Sequence, residues 1–195
     1  MAATDIYVFS RDTGFTAGEA DFARRDFVEN LQEAVDSEKG LRYVANLSGP
    51  FGAFAVFQVD SDEVEKQNAQ INGIRAAFLQ AGGRNIELAS PLDWLKWLIR
   101  WKRAEYTRSA FARIRTTPGA ARAVLEQLND LDTVNGSAIV AGAFDVLAEV
   151  NGDDFRSLSR ELLRISRLSG VASTQSSFVV KEWYRGPMGA MPPPP

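Results

Sequence analysis

Two stretches of this chain run through the same order of secondary structure, and that repetition limits the available folds more than any other feature. In the first half, Asp5–Ser10 is short, β-branched and aromatic, the pattern of a strand. Glu19–Asp36 brings Phe22, Phe27, Leu31, Ala34 and Val35 toward one helical face, with Gly40 as the stop. Leu41–Leu47 and Phe51–Val59 read as strands on either side of the Ser48-Gly49-Pro50 turn. A helix capped by Ser61 then runs to about Gln80, Gly82-Gly83 ends it, and Ile86–Ala89 closes the half as a strand. The second half repeats the order. Phe111–Arg115 is a strand, and Thr116-Thr117-Pro118-Gly119 opens a helix over Ala120–Leu131, with a hydroxyl to cap it and a proline at the first turn. Val134–Val140 and Phe144–Val150 are strands, Phe155–Leu168 is an amphipathic helix stopped by Gly170, and Val171–Val180 is the closing strand.

Each half therefore reads as βαββαβ, a split βαβ plait whose antiparallel sheet carries helices on one face only. The wording Gly52-Ala53-Phe54 returns as Gly142-Ala143-Phe144 in the matching place, as expected of a tandem duplication. Apolar residues on both sides of the strand alternation (Phe51, Phe54, Phe57; Phe144, Leu147) predict that the helix-free face of each sheet is also buried. The expected fold class is thus α+β: tandem ferredoxin-like repeats whose antiparallel sheets pack as an intramolecular dimeric α/β barrel. The expected boundaries are residues 1–90 for the first plait, 91–109 for a Trp-rich linker helix, 110–180 for the second plait and 181–195 for a Pro-rich flexible tail.

Composition removes much of enzymology. The chain has neither Cys nor His. Disulfides, thiolate metal sites, cysteine nucleophiles, Ser-His mechanisms and the usual catalytic zinc sites are therefore closed to it. With 45% hydrophobic and 24% charged residues it is an ordinary globular chain, and its net charge of −3 is not that of a whole-chain nucleic-acid binder. The N-terminus has no basic segment followed by an apolar run, and no stretch is long and apolar enough to span a bilayer, so a cytoplasmic location is expected.

The second half, roughly Phe111–Val180, resembles the effector-binding domain of the Lrp/AsnC family of amino-acid-responsive regulators. The likeness lies in Thr117-Pro118-Gly119 after the first strand, the valine-rich strand Thr133–Val140, Gly142-Ala143-Phe144-Asp145 where the family has Gly-x-Tyr-Asp, and Gly170-Val171 followed by Thr174 and Ser176. The first half looks like a diverged copy in which Ala55 follows Gly-Ala-Phe. The resemblance implies paired domains, often assembled further, and a small effector bound near that turn. Carried over, the ligand-binding candidates are Gly142, Asp145, Thr174 and Ser176. Glycine permits close backbone approach, a carboxylate can take an ammonium, and hydroxyls can hold a carboxylate. The family's DNA-binding helix-turn-helix precedes this domain. Here another plait stands in that place, and nothing in residues 1–110 reads as a basic recognition helix.

Other features read more plainly. Trp94, Trp97, Leu98 and Trp101 stand at i, i+3, i+4 and i+7, the spacing of one helical face, either packed on the body or offered as an interaction surface for a partner or a second copy; a membrane surface ranks last. Asp153-Asp154 with Glu161 reads as a helix cap rather than a cation site, and Ala81-Gly82-Gly83-Arg84 as a helix stop rather than a phosphate loop. The proline-ended tail is low in complexity. No catalytic residue, cofactor or metal is expected. The sequence points to a non-enzymatic small-effector-binding or assembly module, regulatory without direct DNA contact, that takes an amino acid or similar effector. Beside it stand a structural or adaptor subunit using the Trp-rich segment and tail, and a barrel enzyme, a cofactor-poor monooxygenase or isomerase, that would have to use Asp12, Tyr43, Glu87 or Arg113.

Overall fold

The computed structural model describes residues 3–12, 20–35, 40–60, 64–96 and 108–184. Its elements are β1 (Ala3–Asp12), α1 (Ala20–Ala34), β2 (Leu41–Ser48), β3 (Ala53–Asp60), α2 (Val64–Gln80), β4 (Arg84–Lys96), β5 (Arg108–Thr116), α3 (Ala121–Asn129), β6 (Val134–Ala141), β7 (Val146–Gly152), α4 (Phe155–Ile165) and β8 (Val171–Tyr184). This is the doubled βαββαβ order. The strands hydrogen-bond in the sequence β1-β3-β2-β8-β5-β7-β6-β4, a closed antiparallel barrel. The chain divides into two compact units, one of Met1–Ser90 with Val180–Arg185, the other built within Pro91–Val179.

In unit 1, β1 lies between β3 and β4 and pairs antiparallel with both. Strand alternation sends Ile6, Val8, Val44, Ala55, Phe57 and Val59 toward the helices, where Phe27, Val28 and Leu31 of α1 and Ile74, Ala77 and Phe78 of α2 complete one core. Phe78 meets Phe27 at 5.5 Å and Phe57 at 6.2 Å between ring centroids. Each fully buried Phe or Leu of this kind contributes about 1.5–3 kcal/mol by leaving water. After α2, Gly82 turns at φ 97° and the Gly83 N–H donates to the Phe78 carbonyl, so this glycine pair is the expected helix stop.

Unit 2 repeats the plan. Ala110, Ala112, Ile114, Val146, Ala148 and Val150 face Val124, Leu125 and Leu128 of α3 and Leu158 and Ile165 of α4. The Asp154 carboxylate caps α4 by accepting from the Ser157 N–H, and the Ser157 hydroxyl accepts from the Asp154 N–H. Asp153-Asp154 is thus a cap, as read from the sequence. Glu161 instead accepts from the Thr133 hydroxyl, and no carboxylate cluster able to hold a metal occurs among the described residues.

Four sequence expectations need correction. The segment from Pro91 is not helical at its start, because β4 continues through Lys96 and includes Trp94; Trp97, Leu98 and Trp101 lie outside the described residues. Lys181–Tyr184 belongs to β8 rather than to a tail. The α3 cap is Ala120, which makes no side-chain capping bond, while the Thr117 hydroxyl reaches the Gly170 carbonyl at 3.4 Å. Finally, the duplicated tripeptide is out of register. The Gly52 N–H donates to the Ser10 carbonyl and its own carbonyl accepts from Leu47; in unit 2 it is Asp145 that makes both bonds, to Ile114 and from Val140. Gly52 therefore corresponds to Asp145, and neither Gly142 nor Ala55 occupies the matched position. Ser61 lies outside the described residues.

Candidate functional site

The turn between β6 and β7 is held by Asp145. Its carboxylate accepts from the Thr116 N–H at 2.7 Å and from the Thr116 hydroxyl at 3.2 Å. Its main chain bridges Ile114 and Val140. Asp145 is half-buried and Gly142 is exposed beside it. In β8, Thr174 stands opposite Ile114 and Ser176 opposite Ala112, both half-buried. Because Ile114 also pairs with Val146, Thr174 lies two strands across from the residue following Asp145, about 10 Å away. The register thus brings Asp145 and Thr174 to one end of the unit 2 sheet, with Ser176 one step farther along.

A second group of polar residues lies on the opposite face of that sheet. Alternation turns Ser109, Phe111 and Arg113 of β5 and Leu147, Glu149 and Asn151 of β7 away from the helices, paired as Ser109–Asn151, Phe111–Glu149 and Arg113–Leu147. All six are buried, Glu149 completely. The Arg113 guanidinium lies 4.2 Å over the Phe144 ring, a cation–π contact worth about 2 kcal/mol where water is excluded. Ser177 of β8, opposite Phe111, is buried on the same face.

The matching face of unit 1 is aromatic. Phe9 stacks on Phe54 at 4.7 Å, and Tyr7 and Tyr43 approach Phe54 at 6.0 and 5.8 Å. At its end, Asp5 stands opposite Gln58. Burial pushes the Asp5 carboxyl up to about 6, with Arg42 acting in the opposite direction. Burial, helped by Asp5, also raises the Tyr7 phenol. Of the residues a barrel enzyme would have to use, Tyr43 donates to Glu182 at 2.8 Å and Glu87 accepts from Arg11 at 2.6 Å; the side chain of Asp12 lies outside the described residues. Arg113 sits in the buried polar group on the helix-free face of unit 2. Glu149 and Asn151 on the same face escaped sequence reasoning: the face was expected to be buried on the strength of its apolar residues, and nothing marked these polar ones as buried with them.

Comparison with known proteins places the second half. Residues 109–188 match the family model described as the Lrp/AsnC ligand binding domain. The second half of the chain is a Lrp/AsnC ligand-binding domain. A curated relative, an uncharacterized HTH-type transcriptional regulator of Pyrococcus furiosus, is 32% identical over 89 residues, covering 44% of this chain. The match spans 60% of that relative's length. Among solved structures, a siroheme decarboxylase, NirDL, superposes with a TM-score of 0.64 at 10% identity over 92% of this chain and 72% of its own. A putative monooxygenase of Lactobacillus acidophilus gives 0.53 at 7% identity over 95% and 98%. At these identities the likeness is one of fold. The Lrp/AsnC domain is here preceded by a second plait of the same architecture, and no described helix is long and apolar enough to cross a membrane.

Proposed function

We propose that the protein is a non-enzymatic regulatory module whose Lrp/AsnC domain recognises a small effector, an amino acid or a close analogue. The observation that carries this reading is the family match over residues 109–188. The effector site is assigned to Gly142, Asp145, Thr174 and Ser176. Gly142, exposed and without a side chain, admits the ligand to the backbone. The Asp145 carboxylate already accepts two bonds from Thr116 yet retains acceptor capacity for an ammonium. The Thr174 and Ser176 hydroxyls supply donors for a carboxylate. In this role Asp145 both fixes the turn and receives the ligand, so occupancy of the site is coupled to the β6–β7 hairpin.

Isothermal titration of the purified protein against a panel of amino acids tests the proposal. One or a few are expected to bind, and Thr174→Val with Ser176→Ala to weaken binding at least tenfold without lowering the melting temperature. Absence of heat for the whole panel at millimolar concentration would overturn it.

A further inference from the structure

The two units solve the same packing problem in different ways. Matching hydrogen-bonded pairs across the repeats aligns Phe9–Phe54 with Arg113–Leu147, Tyr7–Val56 with Phe111–Glu149, and Asp5–Gln58 with Ser109–Asn151. The face turned from the helices can thus be filled by Phe9 and Val56, as unit 1 demonstrates. In unit 2 the same positions hold Arg113 and Glu149, 5% and 0% exposed. Burying charge is costly, and a well-packed apolar set at such positions is often the more stable choice. The fold does not demand these charges. Asn151 is 1% exposed, and among the described residues neither its amide nitrogen nor its amide oxygen has a hydrogen-bond partner. A buried amide left unmatched costs stability.

We propose that this face of unit 2 is a binding site for a small uncharged molecule carrying a carboxamide or urea-like head. The unmatched Asn151 side chain offers a donor beside an acceptor, and the group that satisfies both together is another amide. Arg113 and Glu149 bring one charge of each sign to the face, so an added ion would be buried without compensation, whereas a neutral dipolar ligand would not. Glu149 lies two residues from Asn151 along β7, about 7 Å, and Phe111 beside it supplies an apolar wall. Because the face is closed to solvent, entry is coupled to its opening, which favours a ligand of few atoms and slow association. The site is distinct from the Asp145 turn and does not depend on the effector reading.

The test is nuclear magnetic resonance of the full-length 15N-labelled protein, titrated in parallel with acetamide and acetate. Acetamide is expected to shift the Asn151 side-chain NH2 signals, with acetate at least fivefold less effective. Asn151→Leu, which keeps the branched side-chain skeleton and removes the unmatched amide, is expected to abolish acetamide-induced shifts at Ser109 and Glu149 and to raise the melting temperature by a few degrees. Ser109→Ala, at the cross-strand partner, is expected to leave the melting temperature unchanged and to retain a weakened acetamide response. Absence of acetamide-dependent shifts, an equal response to acetate, or an Asn151→Leu protein that melts lower or fails to fold would overturn the proposal, the last by making Asn151 a structural residue.

Discussion

Asp5 and Asp145 are both strand-end carboxylates, but their surroundings give them different consequences. Burial raises Asp5 from 3.8 to about 6. Below pH 3.8 the folded and unfolded chains both hold the proton. Between 3.8 and about 6 the unfolded chain releases it while the folded chain keeps it, so stability falls across that window and levels off above it. The contribution is on the order of 3 kcal/mol at most. Asp5→Asn is therefore expected to unfold at higher urea concentration than the wild type at pH 7 and at the same concentration at pH 3.5. Asp145→Ala removes the acceptor of two Thr116 bonds and is expected to lose about 1–3 kcal/mol in chemical denaturation, with Asp145→Asn losing less because one amide oxygen remains. The turn that Asp145 closes was legible in Gly142-Ala143-Phe144-Asp145, but its bonds to Thr116 were not. Neither were Glu149 and Asn151: burial of the helix-free face was readable from its apolar residues, but not that a carboxylate and an amide would be enclosed with them.

At the scale of elements, long periodic segments were legible and their junctions were not. The stripe of Leu158, Leu162 and Ile165 in α4 and the Asp154 cap were both readable, because a helix face and its cap are local. The cap binds the Ser157 N–H, which lowers the Asp154 pKa, so its contribution is full above pH 3.8 and fades as pH falls through the depressed value. Asp154→Ala is expected to speed amide exchange in the first turn, Phe155–Leu158, while leaving α3 protected. Gly170 closes the segment after α4 at φ 87°, and a Cβ there would lie 2.8 Å from the Ala120 Cβ. Gly170→Ala is strained twice over, by backbone and by contact, and is expected to lower stability by more than about 1 kcal/mol. The start of the expected Trp-rich helix, residues 91–96, was misread because Trp94 fits a helical period with Trp97, Leu98 and Trp101 while β4 runs on to Lys96; the last three lie outside the described residues. A few residues that fit two periods are decided by their neighbours in the fold, not by their own spacing.

For the whole molecule, the duplicated element order was enough to specify the fold, but the shared tripeptide pointed to the wrong equivalence. Element order is enforced by packing over many residues; three small or aromatic residues recur by chance. The same contrast explains why the boundary near Ser90 does not make the halves independent. Unit 1 includes Val180–Arg185, contributed by the far end of β8. There Trp183 packs against the core containing Ile6, Phe27 and Phe57, Glu182 accepts from the buried Tyr43 hydroxyl, and Lys181 pairs with Glu29 of α1. A chain ended after Val179 keeps the entire helix-side core of unit 2 but takes these three contacts from unit 1. One of the three is the Glu182 acceptor of a hydroxyl in a residue that is 1% exposed, a bond whose loss is costly. Hydrogen exchange on that shortened chain is expected to show protection lost in β2 and α1, by about tenfold or more, with α3 and α4 close to their full-length values. A uniform loss in both units would instead mean that the two unfold as one cooperative block, and unchanged protection in β2 would mean that the end of β8 contributes nothing to the unit it joins.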